Sequence, residues 1–227
     1  MSKKENKSNN NKYEFNKALK QNTLFPFLKY LPADRYIIRP IASLFAKILF
    51  HTPLTPNQVT YISFYLGVLS GVLYCFGEPR YFIIAGIILQ FSLIFDCVDG
   101  MLARSKDMCS RFGAYLDIFL DRLVDFFFLG GIVIGYYVYS GNLKLFIIGI
   151  LTTALFFLEI SLDYITREYC RREKSGEGAE VKSLYMLITF IFTLLNRLDI
   201  FILATMVVLI IIIFFRVLTF PGLNRGD

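Results

Sequence analysis

Six stretches of the chain are almost unbroken runs of apolar residues, at approximately 57–76, 80–100, 113–139, 143–166, 183–198 and 199–216. Each is near the roughly 20 residues that a helix needs to cross the ~30 Å hydrocarbon core of a bilayer, the fifth being short. The pattern therefore predicts six transmembrane helices. Gly77-Glu78-Pro79 and Ser140-Gly141-Asn142 are turn chemistry, so tight hairpins should join spans one and two and spans three and four. The last two spans are expected to divide near Asn196-Arg197-Leu198-Asp199. Ahead of the first span, residues 35–50 carry apolar side chains at helical spacing, with Pro40 suited to a first turn. That segment predicts an amphipathic helix lying on the membrane surface.

Composition agrees with this reading. Of 227 residues, 56% are hydrophobic and 17% aromatic, more apolar surface than a soluble domain of this length needs. The expected fold is all-α and polytopic. Residues 1–34 form a polar, basic arm; residues 1–22 are rich in Lys, Asn and Glu and lack an apolar run, so no secretory signal peptide is expected there. Lysines in such an arm suit an anionic leaflet better than nucleic acid. Cys75, Cys97, Cys109 and Cys170 show no C-x-x-C spacing, and His51 is the single histidine, so neither a disulfide framework nor a zinc site is expected.

Basic residues set the orientation. With residue 56 in the cytoplasm, the inside loops hold Arg104, Lys106, Arg111, Arg167, Arg171, Arg172, Lys174 and Lys182, while the outside turns hold Arg80, Lys144 and Arg197. The positive-inside rule then predicts a multi-pass protein of the inner, cytoplasmic membrane.

Against this apolar background stand four acids, Asp96, Asp99, Asp117 and Asp121, at the cytoplasmic ends of spans two and three. An ionised carboxylate at a helix centre costs roughly 2.5–3.5 kcal/mol on insertion scales, and four close together also repel one another. Asp96 and Asp99 are three apart and Asp117 and Asp121 four apart, so each pair shares a helix face. Two such faces present a square of oxygen ligands, the chemistry of hard divalent cations. Two cations there could clamp a diphosphate. Gly100, Ala103 and Gly113 leave room for a ligand beside the acids, and Arg104 can pair with a phosphate oxygen.

The string Asp96-x-x-Asp99-Gly100-x-x-Ala103-Arg104, eight residues, Gly113-x-x-x-Asp117-x-x-x-Asp121 resembles the CDP-alcohol phosphotransferase signature at every fixed position. Thr55-Pro56-Asn57-Gln58-Val59-Thr60 is similar to a recurrent element of that family. The resemblance implies a membrane enzyme that moves a phosphatidyl, or ether-lipid equivalent, group from a CDP-lipid to an alcohol, releasing CMP in phospholipid synthesis. It implies two Mg²⁺ or Mn²⁺ ions on Asp96, Asp99, Asp117 and Asp121, with Asp121 also the base for the acceptor hydroxyl. Gly100, Ala103, Arg104 and Gly113 would line the cytidine diphosphate pocket, with Asn57 and Thr60 nearby. Arg111, Arg167, Arg171 and Arg216 are the candidates for an acceptor phosphate. A homodimer is implied as well, and residues 35–227 become a single transmembrane catalytic domain. The extension Asp121-Arg122-Leu123-Val124-Asp125-Phe126 resembles relatives that use inositol phosphate; glycerol phosphate and serine are the alternative acceptors.

Three further features carry weaker readings. Asp125 either supports the metal ligands from behind or pairs with Arg122, and Glu159 and Asp163 either line the acceptor cavity or, the favoured reading, pair with Arg167 and Arg171. Gly67-x-x-x-Gly71 and Gly131-x-x-x-Gly135 permit close helix approach, more often inside a bundle than between copies. The competing function is an ion-coupled secondary transporter, since intramembrane acids also mark ion pathways. The acids lie at one membrane face and the spans show no internal repeat, which weighs against it.

Overall fold

In the computed structural model the described residues are 34–169 and 177–218, all within one compact unit. Among them there are helices and turns and no strand. A π-helical turn, Asp34–Ile38, leads into α1 (Arg39–Phe50), followed by α2 (Pro56–Tyr74), α3 (Pro79–Ser105), α4 (Arg111–Ser140), α5 (Leu143–Tyr169), α6 (Glu177–Leu194) and α7 (Leu198–Leu218). Three of these, α3, α5 and α7, are long and apolar enough to cross a membrane, which marks an integral membrane protein. Residues 1–33 of the basic arm lie outside the described residues.

Local chemistry sets where the helices begin and end. Thr55 caps α2 in a reciprocal box: its Oγ1 accepts from the Gln58 N–H at 3.4 Å, and Gln58 Oε1 accepts from the Thr55 N–H at 2.8 Å. Ser110 caps α4 by accepting from the Gly113 N–H at 2.9 Å. Helix α3 ends on Asp107, whose φ of 53° is left-handed, while the Met108 N–H returns to the Ala103 carbonyl at 2.9 Å. Asn196 does the same for α6, with the Arg197 N–H on the Phe192 carbonyl. The break between the last two helices therefore falls at residues 195–197, slightly before the expected division. Helix α6 begins six residues earlier than the apolar run at 183, because its first turns are polar.

Helix α2 is the centre of the arrangement. It packs against both α3 and α4, whereas α3 and α4 make no close backbone approach to one another. Hydroxyls join α2 to α3: Ser63 donates to the Ser92 carbonyl and Ser92 to the Ser63 carbonyl, both at 2.8 Å, and Ser70 donates to the Ala85 carbonyl. On the other side α2 and α4 approach closely at Gly71 and Gly131. A Cβ on Gly131 would run into the Gly71 carbonyl, and one on Gly135 into the Tyr74 carbonyl. The G-x-x-x-G spacings thus serve packing within the bundle. Tyr185 of α6 gathers the later helices, its ring lying 5.6–6.1 Å from those of Phe128 and Phe156 and 5.4 Å from that of Phe201.

This packing yields a paired prediction. Gly131→Val should destabilise the detergent-solubilised protein by about 1–3 kcal/mol, the usual cost of overpacking. Gly130→Ala meets nothing within 4 Å and should be neutral or slightly stabilising, so thermal unfolding of the two variants separates close packing from generic glycine effects.

Candidate active site

The hairpin turns bring the C-terminal end of α3, the N-terminal ends of α2 and α4 and the start of α6 to the same end of the bundle. Lys106 ties this end together, donating to the Thr52 and Leu54 carbonyls at 2.8 and 2.9 Å and so fixing the loop that leads into α2. Asp96 and Asp99 lie in the last three turns of α3, and Asp117 and Asp121 in the first three turns of α4. Because the backbones of α3 and α4 do not come close, these acids face one another across a gap beside α2, while at the other end of the pair the rings of Phe82 and Tyr139 meet.

Asp96, Asp117 and Asp121 each bring a carboxylate oxygen to within 4.8 Å of the others. Asp99 stands apart from this group of three. It is buried, and its Oδ2 has no hydrogen-bond partner among the described residues. The side chain of Thr60, one turn into α2, lies beside it. A buried carboxylate oxygen left without a partner is costly, so this one oxygen of Asp99 has room for a donor or a cation. The donor set holds oxygen only, with no thiol or imidazole, and suits Mg²⁺ or Mn²⁺ better than zinc.

The small residues of the motif do different things. A Cβ on Gly113 would come within 3.0 Å of both Asn57 Oδ1 and Ser110 Oγ, so Gly113 lets the Asn57 amide lie flat against α4. A Cβ on Gly100 would meet only the Arg104 guanidinium, at 3.6 Å, so this glycine leaves an open cradle with a cation at its edge. Ala103 is half-buried on the same helix and Arg104 is exposed. On the far side of Arg104 a groove of about 430 Å³ separates α3 from α1, lined by Ser43, Lys47, Phe50, His51, Met101 and Ser105 among others.

Of the residues proposed for an acceptor phosphate, two are described with their side chains, Arg111 and Arg216. Arg111 is exposed at the start of α4. Arg171 and the side chain of Arg167 lie outside the described residues. Arg216 of α7 donates to Glu159 at 2.5 Å and to Asp163 at 2.9 Å on α5, so these acids have a partner that sequence did not indicate. Asp125 is buried and pairs with Arg122 at 3.0 Å, one of the two roles expected for it.

One residue at the site was missed altogether. Lys182, in the second turn of α6, reaches into the gap and places its Nζ 2.6 Å from Asp121 Oδ1 and 3.3 Å from Asp96 Oδ2. In sequence it is one more cytoplasmic lysine. Its position immediately before an apolar run is the one signal that it could turn inward.

Comparison with known proteins agrees with this geometry. The chain is 44% identical over 81 residues to the bifunctional IPC transferase and DIPP synthase of Archaeoglobus fulgidus, covering 36% of this chain and 16% of that protein. It is 33% identical over 126 residues to the archaetidylinositol phosphate synthase of Pyrococcus horikoshii, covering 55% of this chain and 58% of that one. The chain thus spans about a fifth of the length of these bifunctional relatives. The crystal structure of Mycobacterium tuberculosis phosphatidylinositol phosphate synthase with CDP-DAG bound shares the fold at a TM-score of 0.63 and 20% identity, over 83% of this chain and 98% of that one. The same enzyme has been solved in complex with manganese and citrate, matching at a TM-score of 0.56 and 19% identity over 82% of this chain and 93% of that one. The family model for CDP-alcohol phosphatidyltransferase matches residues 53–218, which take in the whole acid cluster and every helix from α2 to α7, and the chain belongs to that family.

Proposed function

We propose that this protein transfers a phosphatidyl or ether-lipid equivalent group from a CDP-lipid to an inositol phosphate, releasing CMP. The observation that carries the reading is the convergence of Asp96, Asp117 and Asp121 from two helices whose backbones stand apart. The relatives named for inositol phosphate transfer support the acceptor, and the likeness to a CDP-DAG-bound fold supports the donor. Glycerol phosphate and serine are the alternative acceptors.

In this reading Asp96, Asp99, Asp117 and Asp121 hold two divalent cations. When bound, such ions neutralise the diphosphate and stabilise charge on the attacking and leaving oxygens. Gly100, Ala103 and Gly113 leave space for the cytidine diphosphate, with Arg104, Asn57 and Thr60 around it. Asp121 takes the proton of the acceptor hydroxyl, whose oxygen forms a bond to the lipid-side phosphorus as the bond to the CMP oxygen breaks. Arg111, Arg167 and Arg171 bind the acceptor phosphate; Arg216 joins them only by leaving Glu159 and Asp163. The groove between α1 and α3 has basic and apolar walls and leads to Arg104, a fitting approach for a lipid diphosphate.

The membrane arrangement follows from the same reading. Helices α2 to α7 are six spans, and residues 35–227 form one catalytic domain. Helix α1 lies at the interface: Ala42 and Ala46 are buried, while Ile41, Leu44 and Ile48 are exposed and suit lipid. The acids face the cytoplasm from the inner membrane, and two copies form a homodimer. The test is CMP release by the purified protein with Mn²⁺, a CDP-lipid and separate labelled alcohols. Labelled lipid should form with inositol phosphate; a product with glycerol phosphate or serine alone would correct the acceptor, and no CMP release from any mixture would remove the function.

A further inference from the structure

We propose that Lys182 is the resident counter-ion of the acid cluster and that divalent cations displace it from Asp96 and Asp121. The inference rests on the metal reading above and adds a role for a residue outside the aspartate motif. Two separate observations lead to it. The Lys182 ammonium lies on one oxygen each of Asp96 and Asp121, bridging α3 and α4 where their backbones stand apart. Meanwhile Asp99 Oδ2, nearby and buried, lacks any partner among the described residues. Lys182 reaches only Asp96 and Asp121 and leaves the buried Asp99 oxygen unmatched, so it holds the pocket together without satisfying it.

A hard cation such as Mg²⁺ binds carboxylate oxygens at about 2.0–2.1 Å and needs the same lone pairs that Lys182 occupies. Two cations cannot share those oxygens at hydrogen-bond range without strong repulsion, so the ammonium and the metal exclude one another there. The lysine has a route out once incoming cations take over its two carboxylates. Its charge sits on a flexible four-carbon stem rather than a rigid fork, and its side chain is 18% exposed, so the stem can swing toward solvent while α6 stays in place. Asp125 does not compete for it as a free acid, because Arg122 already pairs with that carboxylate. Lys182 is thus a positioning residue: it keeps Asp96 and Asp121 facing each other until the ions arrive, and it weakens their binding in proportion.

The direct test is site-resolved amine labelling of the full-length protein in detergent, read by mass spectrometry with and without Mn²⁺. Lys182 should be protected in the metal-free protein and gain labelling several-fold when Mn²⁺ is added, while the exposed Lys47 and Lys144 do not change. Lys182→Met should also bind Mn²⁺ more tightly, by at least about tenfold in titrations followed by electron paramagnetic resonance, since a competing cation has gone. The same variant should be less heat-stable than wild type without metal and recover with Mn²⁺. If wild type binds Mn²⁺ but Lys182 labelling stays the same or falls, displacement is wrong while the metal site stands. If wild type shows no saturable Mn²⁺ binding, the metal reading and this inference fall together.

Discussion

Asp121→Asn is expected to lose nearly all turnover while the protein still inserts, folds and binds CDP-lipid. The substitution keeps the size of the side chain but removes both its charge and its capacity to accept a proton. Loss of a positioned general base alone costs roughly 10²–10⁴-fold in rate, and loss of a ligand from a converging set of three adds to it. Folding should survive because Lys182 retains Asp96 as a partner and the helix itself is held by α2. Asp107→Asn is the matched control: Asp107 is exposed, in the left-handed turn after α3, where asparagine is equally at home. Single-turnover CMP release from both variants, at equal amounts of folded protein, checks the assignment. Normal turnover by Asp121→Asn would show that another group takes the proton.

Removal of divalent cations should have an effect of similar size and be reversible. Without them the diphosphate would approach a cluster of carboxylates, and like charges at close range in a low dielectric repel strongly. Turnover after chelation should fall by at least about 10²-fold, since charge stabilisation of this kind supplies several kcal/mol to such transfers. Adding Mn²⁺ should restore it. Thermal stability should fall less than activity does, because Lys182 still bridges α3 and α4 in the metal-free protein. Activity that persists through exhaustive chelation would contradict the account.

Much of this was legible in the sequence, for identifiable reasons. The acids and small residues of the motif lie within one local stretch, and their spacing fixes which share a helix face. Gly77, Gly141 and Asn196 announce turns because each adopts a left-handed conformation there. The Thr55-Pro56-Asn57-Gln58 string turns out to be structural as well as site-forming: Thr55 and Gln58 build the cap, while Asn57 points at Gly113. What escaped was long-range pairing. Lys182 lies 61 residues from Asp121, and Arg216 lies 57 from Glu159, so no local pattern links them. Apolar runs also hid the start of α6, since they register the lipid-facing portion of a helix and not its polar first turns. The gap between α3 and α4 was equally invisible, because it depends on α2 packing against both.

The central claim is that acids from α3 and α4 hold divalent cations between them. Anomalous scattering at the manganese edge from crystals of the Mn²⁺-soaked protein tests this most directly. The account predicts density among the carboxylates of Asp96, Asp117 and Asp121, lost in Asp117→Asn. Manganese found only elsewhere in an active protein, or density unchanged in that variant, would contradict it.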